Sequence, residues 1–209
     1  MKKDFEVFLG DGSKGIKQEL EKARQTLAGV KWGYETAVMR ALNRSAITGR
    51  SEIVKATRRK YTVKAKPVRQ AIRLEEKATY ESLETMLTVR STRLALEHFK
   101  FTPKSDTTGG ARKPVKVAVK RGVAPKPIKN AFVYKGRILQ RTGTTSTPLI
   151  DMTGPSAPSM VGNASVTSEI ETAMRSMFLK RLDHEIVEVL RSGALANHWQ
   201  KGGKIHGRD

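Results

Sequence analysis

Four histidines, His98, His184, His198 and His206, are the first candidates for proton transfer or metal ligation in this chain. Ligation requires histidines or carboxylates at a spacing that converges on one point, as in His-Glu-x-x-His on a helix face. No pair here has such a spacing. His184 lies in Asp183-His184-Glu185 on a predicted helix, roughly opposite its apolar stripe, where a solvated histidine beside acids is the simpler reading. His198 and His206 fall in a polar, glycine-bearing tail. The segment Gly10-Asp11-Gly12-Ser13-Lys14-Gly15 brings glycines and a lysine to a helix start, the raw material of a phosphate cradle. It lacks the Gly-x-x-x-x-Gly-Lys-Ser/Thr spacing that lets backbone N–H groups surround phosphates. Glu75-Glu76 and the nearby Glu81 and Glu84 read as the charged edge of a strand, and Asp151 stands alone in a proline- and glycine-rich stretch. One carboxylate does not supply both an acid and a base. With no cysteine, thiolate metal sites, disulfides and cysteine nucleophiles are excluded. No catalytic, metal or cofactor-binding residue, no cofactor and no enzymatic activity are expected.

Charge carries more information. The 209 residues hold 40 Lys+Arg against 20 Asp+Glu, a formal net of +20. The window 50–73 contains nine basic residues and only Glu52 as an acid; the window 100–141 contains twelve and only Asp106. Together they account for 21 of the 40 basic residues and two of the acids. The predicted C-terminal helix, by contrast, has four basic against five acidic residues. Like charges packed within the ~8 Å Debye length of physiological salt repel one another, so such windows face either open solvent or a polyanion. Aromatic residues, which stack on unpaired bases, make up 6 % of the chain, and no helix-turn-helix, zinc-finger or RNA-recognition signature is present. Contact with a nucleic-acid backbone, blind to sequence, is what these residues support. Arg58, Arg59, Lys60, Lys64, Lys66, Arg112, Lys113, Lys116, Lys120 and Arg121 are the expected anion-facing residues.

The elements that must hold these cations follow from periodicity. Phe5, Val7 and Leu9 alternate as an edge strand that ends in a glycine turn. Ile16, Leu20, Ala23 and Leu27 form one helical face, Gly29 interrupts, and a second helix resumes near Trp32. Its stripe of Val38, Leu42, Ser45, Gly49, Ile53 and Ala56 has small residues in the middle, which lets another element approach closely. Pro67 fits the first turn of a short helix with Val68, Ala71 and Ile72. Alternation over 83–92 and 115–120 predicts strands, and Phe132-Val133-Tyr134, Lys135-Gly136 and Ile138-Leu139 predict a hairpin. The 103–111 segment reads as a mobile loop. Residues 142–164, rich in Thr, Ser, Pro and Gly, read as irregular chain that crosses a surface or wraps a neighbour, with Pro148, Gly154, Pro155 and Pro158 as contact points. Val166 to Ser192 is the clearest helix, with a Ser168/Glu171 capping box and Gly193 as its stop. The hydrophobic fraction of 38 % predicts a thin core, and no apolar run approaches the ~18–20 residues of a membrane helix. The start, Met-Lys-Lys-Asp-Phe-Glu, leads into no apolar stretch, so neither a secretory signal nor a membrane partner is expected. The class is α+β: N-terminal helices, an antiparallel strand-rich middle over about 74–141, and a long C-terminal helix packed on the sheet. The organisation expected is a basic body over 1–164 with its connecting segment 142–164, a helix of the same domain over 165–192, and a flexible tail over 193–209.

Read in order, several stretches resemble the phage minor tail protein Z family, the tail completion proteins. These are Ala37-Val38-Met39-Arg40-Ala41-Leu42-Asn43-Arg44-Ser45-Ala46, Tyr61-Thr62-Val63-Lys64, Arg93-Leu94-Ala95-Leu96-Glu97-His98-Phe99-Lys100, Asn130-Ala131-Phe132-Val133, Arg141-Thr142-Gly143, Pro148-Leu149-Ile150 and Thr153-Gly154-Pro155-Ser156. The resemblance covers roughly residues 30–192. It implies a structural virion protein of a long-tailed bacteriophage or prophage that acts late in tail maturation, near the end of the tail that joins the head. Implied partners are other copies of the chain in a ring, neck and tail-tube or terminator proteins, and phage DNA held without sequence preference. The implied location is the virion, with the host cytoplasm as the place of assembly. No catalytic residues carry over from such a family. The alternative reading of the same charge is an autonomous, sequence-independent nucleic-acid-binding protein.

Overall fold

In the computed structural model, which describes residues 5–10, 16–107, 114–143 and 147–200, the elements follow the predicted order from helices through strands to a helix. The N-terminal strand β1 (Phe5–Gly10) is followed by α1 (Lys17–Leu27) and α2 (Gly33–Lys60). Leu20, Ala23 and Leu27 of α1 are buried, as their spacing predicts. In α2 the whole predicted stripe is inside, with Val38, Leu42, Ser45 and Ile53 fully inaccessible. Arg40, Arg44, Lys55 and Arg59 lie on the exposed side. A Cβ at Gly49 would stand 2.9 Å from Met174 Cε and 3.3 Å from Leu87 Cδ1. The small middle of the stripe thus admits side chains of both the C-terminal helix and a strand.

Next come α3 (Ala65–Ala71), β2 (Ile72–Glu76) and β3 (Glu84–Val89). The strands β1, β3 and β2 form one sheet in that order, which leaves β1 at an edge as its sequence predicts. The rest of the middle is a set of short antiparallel pairs. They comprise β4 (Arg93–Ala95), a 3-10 turn (Leu96–His98), β5 (Lys100–Thr102), β6 (Lys116–Ala118), β7 (Lys126–Pro127), β8 (Ala131–Tyr134) and β9 (Arg137–Arg141). β8 and β9 form the predicted hairpin, paired Phe132 with Leu139 and Tyr134 with Arg137. Its two-residue loop has Lys135 at φ 46° and Gly136 at φ 76°. Two left-handed residues are the mark of a type I′ turn, whose twist matches that of the strands it joins.

The 142–164 segment corrects an expectation. Its described residues are largely regular: they contain β10 (Leu149–Asp151), β11 (Thr153–Ser156) and the short helix α4 (Ala157–Val161). β10 pairs with β9, and β11 pairs with β4 through a register shift between Thr153 and Ser156. That irregularity is what makes room for Pro155, since proline is confined to sheet edges and bulges. Ser156 then caps α4, its hydroxyl accepting from the Ser159 amide at 3.3 Å.

The last element, α5 (Ala164–Gln200), begins earlier and ends later than expected. The Asn163 carbonyl accepts from the Val166 and Thr167 amides at 2.8 and 2.9 Å, so Ser168 lies inside the helix and is not its cap. Gly193 does not stop the helix either. A Cβ there would meet both methyls of Val30 at 3.3 Å, so this glycine serves close packing.

Packing divides the chain into two compact units. Unit 1 comprises Met1–Glu6, Arg50–Arg73 and Thr88–Ile170; unit 2 comprises Val7–Gly49, Leu74–Leu87 and Glu171–Asp209. Unit 1 is centred on Ile53, Val68, Phe99, Val115, Val133, Ile138, Met160 and Ile170, and unit 2 on Leu27, Leu42, Leu87, Met174, Phe178 and Leu182.

Candidate anion-binding face

The division in packing is also a division in charge. Unit 1 carries 25 of the 40 Lys+Arg and 7 of the 20 Asp+Glu, a net of +18, while unit 2 carries 15 against 13, a net of +2. The surplus noted in two sequence windows therefore belongs to one folded body.

Of the ten predicted anion-facing residues, eight are described, and all eight lie in unit 1. Arg112 and Lys113 lie outside the described residues. Arg58, Arg59 and Lys60 form the last turn of α2, where cations favour the negative end of the helix dipole. Arg121 reaches the same place from the turn after β6. Its Nε donates to the Arg58 carbonyl at 2.6 Å and its backbone amide to the Lys60 carbonyl at 2.9 Å. A bridge between Tyr61 and Lys120 fixes the two segments side by side. Lys55, Arg58, Arg59 and Arg121 then line one open depression of about 440 Å³. Lys55 belongs to this group and was missed as a site residue; its position one turn before Arg58 and Arg59 was the available signal.

Not every cation here is available to a partner. Arg59 forms an ion pair with Glu169 of α5. Lys55 pairs with Glu52 at 2.7 Å. The Lys60 ammonium donates to Asn163 Oδ1 at 2.5 Å and to Ser165 Oγ at 2.6 Å, a structural tie to the start of α5. Lys64, Lys66, Lys116 and Lys120 are exposed. Lys104, not singled out from the sequence, places its Nζ 3.4 Å from the centre of the Phe101 ring. Its pKa is lowered by burial and, secondarily, by the positive charge of Lys64. Two ammonium groups thus stand close enough to disfavour one another. The arrangement holds some cations in place by helix capping and ion pairs and leaves the remainder of the described ones to face outward.

The predicted contact points separate. Pro148 is exposed and Pro155 partly so, while Gly154 and Pro158 are buried within their own chain. The exposed apolar residues of that segment are Leu149 and Ile150 on β10. Among the described residues no group of three or more histidines and carboxylates is placed to hold a metal ion, and no helix is long and apolar enough to cross a membrane.

Comparison with known proteins supplies the class: a minor tail protein of a phage. The chain belongs to the family described as prophage minor tail protein Z (GPZ), which it matches over residues 14–194. That span takes in most of both units and every described residue of the basic face. No curated protein and no solved structure matches the chain.

Proposed function

We propose that this chain is a non-enzymatic structural protein of the virion that completes the tail at its head-proximal end. It assembles with copies of itself into a ring, and its basic unit faces DNA passing through the neck or acidic faces of adjoining neck and tube proteins. The host cytoplasm is the place of assembly. The observation that carries this reading is the concentration of +18 in one folded unit of a phage tail protein, beside a unit of only +2. A protein that used its cations merely for solubility gains nothing by segregating them. A ring fits a head–tail junction because one heterologous contact, repeated, closes.

The test reverses exposed charges that have no structural partner among the described residues: Arg58→Glu, Lys66→Glu and Lys116→Glu together. Phage or prophage lacking the wild-type gene and supplied with this variant is expected to build tails that join heads poorly. Unchanged joining with a folded variant overturns the reading. The rival, an autonomous nucleic-acid binder, draws on the same charge and predicts something different. The isolated protein would hold duplex DNA above ~0.2 M salt, with a log-log slope of about −0.9 per phosphate neutralised, and would need no phage partner.

A further inference from the structure

Two surfaces that this reading leaves unused complement each other. On unit 2, Trp32 is 58 % exposed and Tyr80 50 % exposed, and their rings meet edge to face with centroids 6.4 Å apart at 74°. Paired, exposed aromatics are the common anchors of protein interfaces. The backbone holds them rigidly. Trp32 sits at φ 57°, a region disfavoured for any residue but glycine, and its carbonyl accepts from the Thr36 amide at 3.0 Å and the Thr36 hydroxyl at 2.6 Å. Tyr80 belongs to a turn closed by the Thr79 amide on the Ser82 carbonyl at 2.8 Å. Asn43 clamps that turn to α2: its Nδ2 donates to the Ala78 carbonyl at 2.9 Å and its Oδ1 accepts from the Ala78 amide at 3.0 Å. The stretch 74–84 that carries Tyr80 has four glutamates and one lysine, Lys77. The result is a preorganised aromatic knob with an acidic rim.

On unit 1, Leu96, Val117, Val123 and Ile128 line an apolar groove of about 450 Å³ with Lys120 and Lys126 at its wall. Val123 is 49 % exposed. This volume lies within the ~300–1,000 Å³ of sites that enclose compact ligands, so an aromatic side chain can enter. It is an apolar hole with a basic rim.

We infer that the Trp32–Tyr80 knob of one copy docks into the Val117–Val123 groove of a second copy, with Glu76 and Glu81 facing Lys120 and Lys126. The inference rests on the self-assembly reading above. Knob and groove are different patches of the same chain, so the contact is head-to-tail, the kind that closes into rings.

The experiment uses the full-length protein in sedimentation velocity. Wild type is expected to form concentration-dependent oligomers. A knob variant (Trp32→Ala with Tyr80→Ala) and a groove variant (Val123→Asp) are each expected to be monomeric at concentrations where wild type assembles. Mixed, they should form a 1:1 dimer and nothing larger, because one intact knob and one intact groove remain; this also shows that both variants are folded. Glu81→Lys should weaken assembly at least tenfold, and adding Lys126→Glu to it should restore it. Variants that assemble like wild type overturn the docking while self-assembly stands. A wild type that stays monomeric overturns both. A knob variant that self-assembles normally but is lost from tails assigns the knob to a different tail protein and overturns this occupant.

Discussion

The side chain of Arg121 is bound to the backbone of Arg58: its Nε donates to the Arg58 carbonyl oxygen at 2.6 Å, while its own amide caps the Lys60 carbonyl. The basic face is thus built on the C-terminal end of α2, where unpaired carbonyls need donors and the helix dipole favours cations. Replacing Arg121 with Ala is expected to lower stability by about 1 kcal/mol, kept small because the side chain is solvated. Urea unfolding measures it, and Arg121→Lys should recover part of the loss.

Gly154 faces the ring of Phe99. An added Cβ would lie 2.9 Å from Phe99 Cε2 and 3.0 Å from Leu96 Cδ2, with Phe99 itself fully buried. A buried ring cannot swing aside as a flexible chain can, so Gly154→Ala should destabilise by about 1–3 kcal/mol, seen as a lowered urea midpoint.

Asn43 makes two reciprocal bonds to the backbone of Ala78. Asn43→Ala should cost about 1–3 kcal/mol, since a partly buried amide and carbonyl lose their partner. Exchange of the Ala78 and Thr79 amides, bonded to Asn43 and Ser82, should accelerate more than exchange in α5, which separates local loosening from global unfolding.

Tyr61 is buried, and burial raises its pKa above the ordinary 10.0, opposed in part by a hydrogen bond with Asn163. Below pH ~10 the phenol is neutral folded or unfolded, and its burial costs nothing extra. Above that, the unfolded tyrosine ionises first, so stability falls until the pH passes the raised folded value. Tyr61→Phe should therefore flatten the alkaline loss of stability relative to wild type in urea titrations run from neutral to alkaline pH.

What the sequence revealed depended on how each element is buried. α1, α2 and α5 each bury one continuous face, so Leu20, Leu42, Phe178 and their neighbours appear as clean periods. β2 and β7 are mostly exposed, and β4 and β5 are three residues long, so none leaves a recognisable period. The 142–164 segment misled for a different reason. Its strands pair through an irregularity that tolerates Pro155, and composition alone does not show such a partner. The basic windows located by charge the residues that packing gathers into unit 1. They could not show that Arg59 is answered by Glu169, or Lys60 by Asn163 and Ser165, because those partners come from distant parts of the chain.

Each unit is stitched from three separate stretches, with α2 passing from one into the other at Gly49–Arg50 and α5 at Ile170–Glu171. No single cut releases the cationic body, and no insertion point transfers it intact to another gene. The cationic body is woven into its carrier, so the two must be inherited and expressed together.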